Sequence, residues 1–192
     1  MDEGNFYMSE FLPKPRWTSE QPRPEDAMAM AEMQRKIWIE TYCKGNNIAT
    51  DKEMLSYAIS MTDDPERVAE RARLIEASDH SDSTYYHIVR ASGQPIGMVY
   101  GYKNDAHQEL FALYVAKEFH RKGVATQLTT DLFRWFDPQR PVELGVVEDN
   151  IEAQQFYETL GFNPIPDSRV AFQGSEHVHE IRMIRQPQKE QA

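Results

Sequence analysis

The chain has 192 residues, 40% of them hydrophobic, 11% aromatic and 27% charged, a length and balance that suit one packed domain and leave no room for two of ordinary size. A formal net charge of −10 argues against nucleic-acid binding, which draws its affinity from Lys and Arg at phosphates, and favours a cationic small molecule instead. The lone Cys43 excludes an internal disulfide and a thiolate zinc site; no apolar run approaches the ~20 residues that cross a bilayer, and the start MDEGNFYMSEF has no basic, apolar leader pattern. A cytoplasmic chain with no membrane partner is the expectation.

In chain order, residues 1–15 read as a flexible arm, with Pro13, Pro15, Pro22 and Pro24 breaking local order and one short strand expected around Trp17. From Pro24, the spacing of Met30, Ile37, Trp38 and Tyr42 predicts a first helix with Glu25 and Asp26 in its opening turn. Thr50 and Glu53 match a capping box, and Met54, Leu55, Ala58 and Ile59 form the stripe of a second helix ending near Met61. Asp64 before Pro65 marks the start of a third helix through Val68, Ala72 and Ile75.

The period then changes. YYHIVRASGQPIGMVYGYKND reads as a hairpin turning at Ser92-Gly93-Gln94-Pro95, and Glu109 to Val115 as a further strand. A helix from Gly123 to about Phe136 and a strand Val142 to Val147 complete a strand, helix, parallel strand unit. A helix of about a dozen residues from Ile151, a turn at Gly161 and two short runs around Val170–Phe172 and His179–Met183 close the domain at about residue 186, with 187–192 as a flexible tail. There is no internal repeat and no low-complexity block.

Two segments carry chemistry. In LYVAKEFHRKGVATQL a strand runs into a short loop whose Gly123 stands just before a helix, so unpaired N–H groups and the helix dipole can cradle a pyrophosphate while Gly123 and the small Ala125 keep the approach open. In NIEAQQFYETLGF, Asn150 suits the first position of a helix, Ala153 and Phe156 share a face with Leu160, Tyr157 lies beside that face and Gly161 caps the end.

Together these segments resemble the two signatures of the GNAT superfamily of N-acetyltransferases, over roughly residues 16–186. The resemblance implies an α/β (α+β) fold with a mixed, mostly antiparallel seven-stranded sheet flanked by helices, splayed between the fourth and fifth strands to admit acetyl-CoA as co-substrate. It implies backbone contacts to the pantetheine arm from Leu113, Tyr114 and Val115. It also implies a phosphate cradle at His120, Arg121, Lys122, Gly123, Val124, Ala125 and Thr126, and cofactor contacts from Asn150, Ala153 and Phe156. The family loop begins with Gln or Arg, and this chain departs from it with His120.

By the same resemblance Tyr157 would protonate the departing sulfur, a step open to a phenol of pKa near 10 beside a thiol near 8.5, against the bland reading of Tyr157 as one more packed aromatic. Glu109 would accept the amine proton through water; strand alternation instead sets Glu109, Phe111, Leu113 and Val115 on one face, with Glu109 as a rim charge. His177, His179 and Glu180 invite a metal reading that is set aside for want of a third ligand, so no metal is expected.

The acceptor is expected to sit between the first two helices and the loop near Tyr102 and Asn104. A looser likeness of IWIETYCKGNNIATDKEMLSYAIS and the C-terminal stretch to bacterial polyamine (spermidine/spermine) acetyltransferases implies a polyamine, with Glu40, Asp51 or Glu53 as contacts. A protein N-terminus or lysine, an amino-sugar antibiotic, and a non-catalytic acetyl-CoA sensor supported by His120 alone are the competing readings. A homodimer is one assembly left open.

Overall fold

The protein is described by a computed structural model over residues 17–43, 48–172, 175 and 177–187, the side chains of 48–51 excepted. The expected arm at 1–15 and the tail from 188 onward lie outside the described residues.

A single 3-10 turn, Pro24–Asp26, is closed by the Asp26 carboxylate accepting from the Arg23 N–H at 2.7 Å, and leads into α1, Ala27–Tyr42. Helix α1 buries Met30, Ala31, Met33, Gln34 and Trp38, which recur at helical spacing. Helix α2, Ile48–Asp63, begins before Thr50 and continues past Met61. The expected capping box therefore lies inside the helix: Met54, Ala58 and Met61 pack beside Trp38, and this tertiary contact outweighs the local signal. The Glu53 carboxylate accepts instead from the Ser175 hydroxyl. Helix α3, Pro65–Ser78, starts as expected, with Asp64 accepting from the Glu66 N–H at 3.0 Å.

Strand β1 is the pair Ser19–Glu20; β2 (Thr84–Ala91) and β3 (Gln94–Lys103) form the hairpin. Its turn is tighter than expected, because Ser92 (φ 51°) and Gly93 (φ 81°) alone make a two-residue loop, the left-handed pair that suits strand twist, and Pro95 already pairs with Arg90. Then come β4 (Gln108–Val115), α4 (Val124–Trp135), β5 (Val142–Val147), α5 (Ile151–Thr159), β6 (Phe162–Pro164), β7 (Val170–Ala171) and β8 (His179–Arg185).

Among the described residues the sheet has eight strands in the order β1-β2-β3-β4-β5-β8-β6, with β7 on β8. Seven were expected; the short strands near Trp17 and at Val170 were anticipated as β1 and β7, and the strand not anticipated is β6, three residues directly after the Gly161 turn and too short to leave a periodicity in the sequence. Every pairing is antiparallel except β4 with β5. Helix α4 seals one face through Val124, Leu128 and Leu132 against Val99, Leu110 and Leu144, and α1, α2 and α3 cover the other through Met30, Ile75, Trp38 and Met54.

Strand β4 holds a bulge that sequence alternation missed. Tyr100 pairs with Ala112 and the next rung joins Gly101 to Leu110, leaving Phe111 unpaired and 60% exposed. Past the bulge Leu113 and Val115 face the α4 core with Leu110, while Glu109 bonds Tyr102 on the opposite face. The expectation of Glu109, Leu113 and Val115 on one face is corrected accordingly.

Candidate active site

Parallel β4 and β5 share one rung, Glu109 with Glu143, near the start of each strand. Beyond it the two strands no longer pair: β5 runs along β8 over its whole length, from Val142 with Arg185 to Val147 with Glu180, and β4 keeps β3 alone. The backbone of Leu113, Tyr114 and Val115 therefore borders the gap on its β4 side, where an extended amide-bearing chain can take the place of a missing strand.

The loop closing that gap has an unusual backbone. After a 3-10 turn at Lys117–Phe119, Arg121 (φ 56°) and Gly123 (φ 85°) are both left-handed, and Gly123 caps α4. The first-turn N–H groups of α4 have no carbonyl within the helix to bind, so Gly123, Val124, Ala125 and Thr126 present donors and the positive dipole end outward. Nothing lies within 4 Å of where a Gly123 Cβ would be, so that approach is open. Arg121 and Lys122 are exposed beside it, whereas the Val124 side chain is 1% exposed and belongs to the core. A pyrophosphate fits this cradle through backbone donors flanked by two cations.

His120, at the departing position of the motif, has Nε2 3.0 Å from the carbonyl oxygen of Val115, which requires that nitrogen to carry the proton. Its Nδ1 lies 3.8 Å from Glu152 at the start of α5. The ring thus ties the loop to the end of β4. A second tie went unseen in the sequence: the Trp17 indole donates to the Lys122 carbonyl at 2.7 Å and meets Phe119 edge-on at 5.7 Å. The sequence signal available was an isolated Trp in a polar, proline-rich stretch.

Three tyrosines from three elements meet beside the gap: Tyr42 of α1, Tyr114 of β4 and Tyr157 of α5. Burial, followed by the proximity of Tyr114 and Tyr42, pushes the Tyr157 hydroxyl well above its ordinary pKa. Burial likewise raises Tyr114 and Tyr42, the latter against a hydrogen bond from Asn150. All three are therefore neutral donors at pH 7. Tyr157 also packs on Phe156 and Phe162, so the bland aromatic role holds beside any chemical one.

Asn150 caps α5 as expected, accepting from the Ala153 N–H at 3.2 Å while its amide donates to the Tyr42 hydroxyl at 3.1 Å. Ala153 and Phe156 pack with Leu160 against the α4 core. The Trp38 indole N–H is buried without a hydrogen-bond partner. It and the Gln34 side chain lie close to the Tyr114 hydroxyl and oppose the rise that burial imposes on it.

On the α1 face, Glu109 is 6% exposed and accepts from Tyr102 at 2.5 Å, His107 at 2.9 Å and Arg182 at 2.8 Å. Burial alone would raise its carboxyl; bonds from Arg182, Tyr102 and His107, and the guanidinium charge, outweigh it and hold the group below its usual value. Arg182 reaches Glu143 as well, at 3.1 Å, so one guanidinium on β8 bridges β4 and β5 beside their only shared rung. Tyr102 is raised to about 12, first by burial and then by Glu109.

Of the expected acceptor residues, Tyr102 belongs to this cluster, and Asn104 is spent on the β3–β4 turn, accepting from the Ala106 and His107 N–H groups at 2.9 Å. Glu53 lines a cavity of about 740 Å³ with Tyr57, Arg67, Phe172 and His177, where α2 faces the approach to β8. Glu40 lies apart from it, beside Lys36 at 3.9 Å, and the Asp51 side chain lies outside the described residues. His177 precedes β8 and faces Glu53 at 3.9 Å. Among the described residues no group of three His, Cys, Asp or Glu is placed to hold a metal ion, and no helix is long and apolar enough to cross a membrane.

No protein of curated function matches the sequence. Among solved structures, the fold is similar to a PaiA N-acetyltransferase from Thermoplasma acidophilum in complex with coenzyme A, at TM-score 0.69 and 18% identity over 90% of this chain and 99% of that one. It is also similar to a GNAT-family acetyltransferase from Streptococcus pneumoniae, at TM-score 0.65 and 16% identity over 88% and 98%. A GCN5-related N-acetyltransferase from Rhodopseudomonas palustris gives TM-score 0.66 and 19% identity over 91% and 98%. The profile of the acetyltransferase (GNAT) family matches residues 49–162, which spans the cradle, the parted strands and the capped helix α5, and the chain belongs to that family.

Proposed function

We propose that this protein transfers the acetyl group of acetyl-CoA to a primary amine of a small cationic molecule, with a polyamine as the leading class, by direct attack of the amine on the thioester. The observation that carries the reading is the parting of β4 and β5 after one rung, with the α4 cradle bordering the gap and three neutral tyrosines beside it. The backbone of Leu113, Tyr114 and Val115 would bind the pantetheine amides, and Arg121 to Thr126 the phosphates, with Ala153 and Phe156 walling the arm. His120 and Asn150 would act chiefly by holding the loop and α5 in place, since their side chains are already engaged.

Transfer needs alignment, a deprotonated amine and a proton for the leaving sulfur. Tyr157 supplies the last: burial keeps its hydroxyl protonated, and the same apolar surroundings that raise it also raise the thiol. On the acceptor side Glu109 keeps a fixed negative charge, which favours a cationic substrate; as a proton acceptor it could act only through water, because its oxygens already accept three bonds. A polyamine is supported by the net charge of −10 and by the carboxylates of Glu53, Glu109, Glu143 and Glu180 on or near the α1 face.

Titration with acetyl-CoA, followed by free-CoA release over an amine panel led by spermidine and spermine, tests the proposal. Saturable binding with amine-dependent release is expected. Binding with no release on any amine would favour the sensor reading, and absence of binding would overturn both.

A further inference from the structure

Resting on that reading, we propose that Glu180 of β8 takes the proton from the acceptor amine, and that Glu109 only positions the charge around it. Glu180 pairs with Val147 at the far end of β5, where β4 and β5 have already parted. On β8 its side chain shares a face with Arg182, and Val178, just before the strand, lines the cavity beside α2, so Glu180 lies in sequence between that cavity and the acidic cluster. The missing side chain at Gly145 makes room for it: the Glu180 carboxyl atoms lie 3.1 to 3.3 Å from where a Gly145 Cβ would be. Gly145 has ordinary backbone angles, so close approach of the carboxylate is what the position uses.

The two carboxylates differ in what holds them. Glu109 is bonded by Arg182, Tyr102 and His107, while Arg182 points its two ends at Glu109 and Glu143 and none at Glu180. Glu180 feels Arg182 and Glu109 only through space; burial raises its carboxyl first, Arg182 lowers it, Glu109 raises it again, and the balance is upward. On β5 the Glu143 carboxylate is held by the Arg182 guanidinium, and on α2 the Glu53 carboxylate accepts from the Ser175 hydroxyl. A half-buried carboxylate with spare lone pairs and a raised pKa is a better proton acceptor near neutral pH than a saturated one with a lowered pKa.

In the step, the ammonium of the acceptor loses one proton to the Glu180 carboxylate, and the freed lone pair bonds the thioester carbonyl carbon. As the intermediate collapses, the carbon–sulfur bond breaks and the sulfur takes the Tyr157 proton. The tyrosinate recovers a proton from the nitrogen of the new amide through solvent, and Glu180 releases its own to water. The sum is one amide, one free thiol and one proton released.

Turnover against pH for the wild type, Glu180→Gln, Glu180→Asp and Gly145→Ala tests this, with acetyl-CoA affinity measured beside it. Glu180→Gln is expected to lose at least thirtyfold in kcat and the acidic limb of its profile, at unchanged acetyl-CoA affinity and undiminished thermal stability. The aspartate is expected to restore part of the rate and the limb, and Gly145→Ala to lower kcat by displacing the carboxylate. A loss under threefold in Glu180→Gln, or an acidic limb that persists, would overturn the proposal whatever the stability shows. Carboxyl-carbon NMR of the wild type against Glu180→Gln, with and without spermidine, gives a readout free of turnover. A raised Glu180 midpoint that falls when the amine is added supports the contact, and a midpoint indifferent to the amine removes it. Wild type with no turnover on any amine would sink the acetyltransferase reading separately.

Discussion

At the scale of single residues, the chemistry turns on which groups remain free to exchange protons. Tyr157→Phe removes a hydroxyl held neutral by burial and keeps the ring contacts with Phe156 and Phe162. It is expected to cost about tenfold to hundredfold in kcat, at the low end of general-acid effects because a thiolate is already a fair leaving group, with acetyl-CoA affinity unchanged in a binding titration. Glu109→Gln keeps the shape while removing the charge, and the same assay should show a change of less than threefold in kcat with a rise in KM for a cationic amine. A loss of a hundredfold in kcat at constant KM would restore Glu109 as the base. The sequence made Tyr157, Asn150 and the cradle legible because each sits in a motif whose spacing is local. It hid the sorting of Glu109 from Glu180, because that depends on a bulge at Phe111 and on a glycine on a neighbouring strand.

At the scale of elements, the cradle is held by partners far away in the chain. Gly123→Ala places a Cβ on a left-handed residue, a strain of about 1 to 2 kcal/mol, with no steric clash around it. Acetyl-CoA affinity is expected to fall about tenfold by isothermal titration, while the rest of the fold unfolds within a few degrees of wild type. Trp17→Ala removes the bond to the Lys122 carbonyl, 105 residues on, and the contact with Phe119, and should weaken acetyl-CoA binding without altering kcat at saturation. Helix α4 and the hairpin were readable from period and turn chemistry, and the start of α2 was not. There the packing of Met54, Ala58 and Met61 beside Trp38 sets the helix length, and Thr50 with Glu53 offered a capping signal that the fold does not use.

At the scale of the whole molecule, the sheet is two sets of strands joined at one rung and tied there by Arg182. Removing that guanidinium in Arg182→Met leaves Glu109, at 6% exposure, without its countercharge, and is expected to cost about 3 kcal/mol in urea unfolding at pH 7. The sign with pH follows from Glu109: its folded pKa lies below its unfolded one, so its contribution is present above the unfolded value and is lost as pH falls through the lowered one. The difference between wild type and Arg182→Met should therefore narrow steadily as unfolding is repeated below pH 4.5, and a gap that stays constant would show that the ion pair is not its source. The single rung also makes the molecule a pair of plates on one hinge pin. Amide protons of β4 beyond Phe111 that face the gap have no strand to shield them on that side, so they should exchange with solvent quickly in the free protein. Once an extended arm lies in the opening they should slow together, and the two plates should behave mechanically as one.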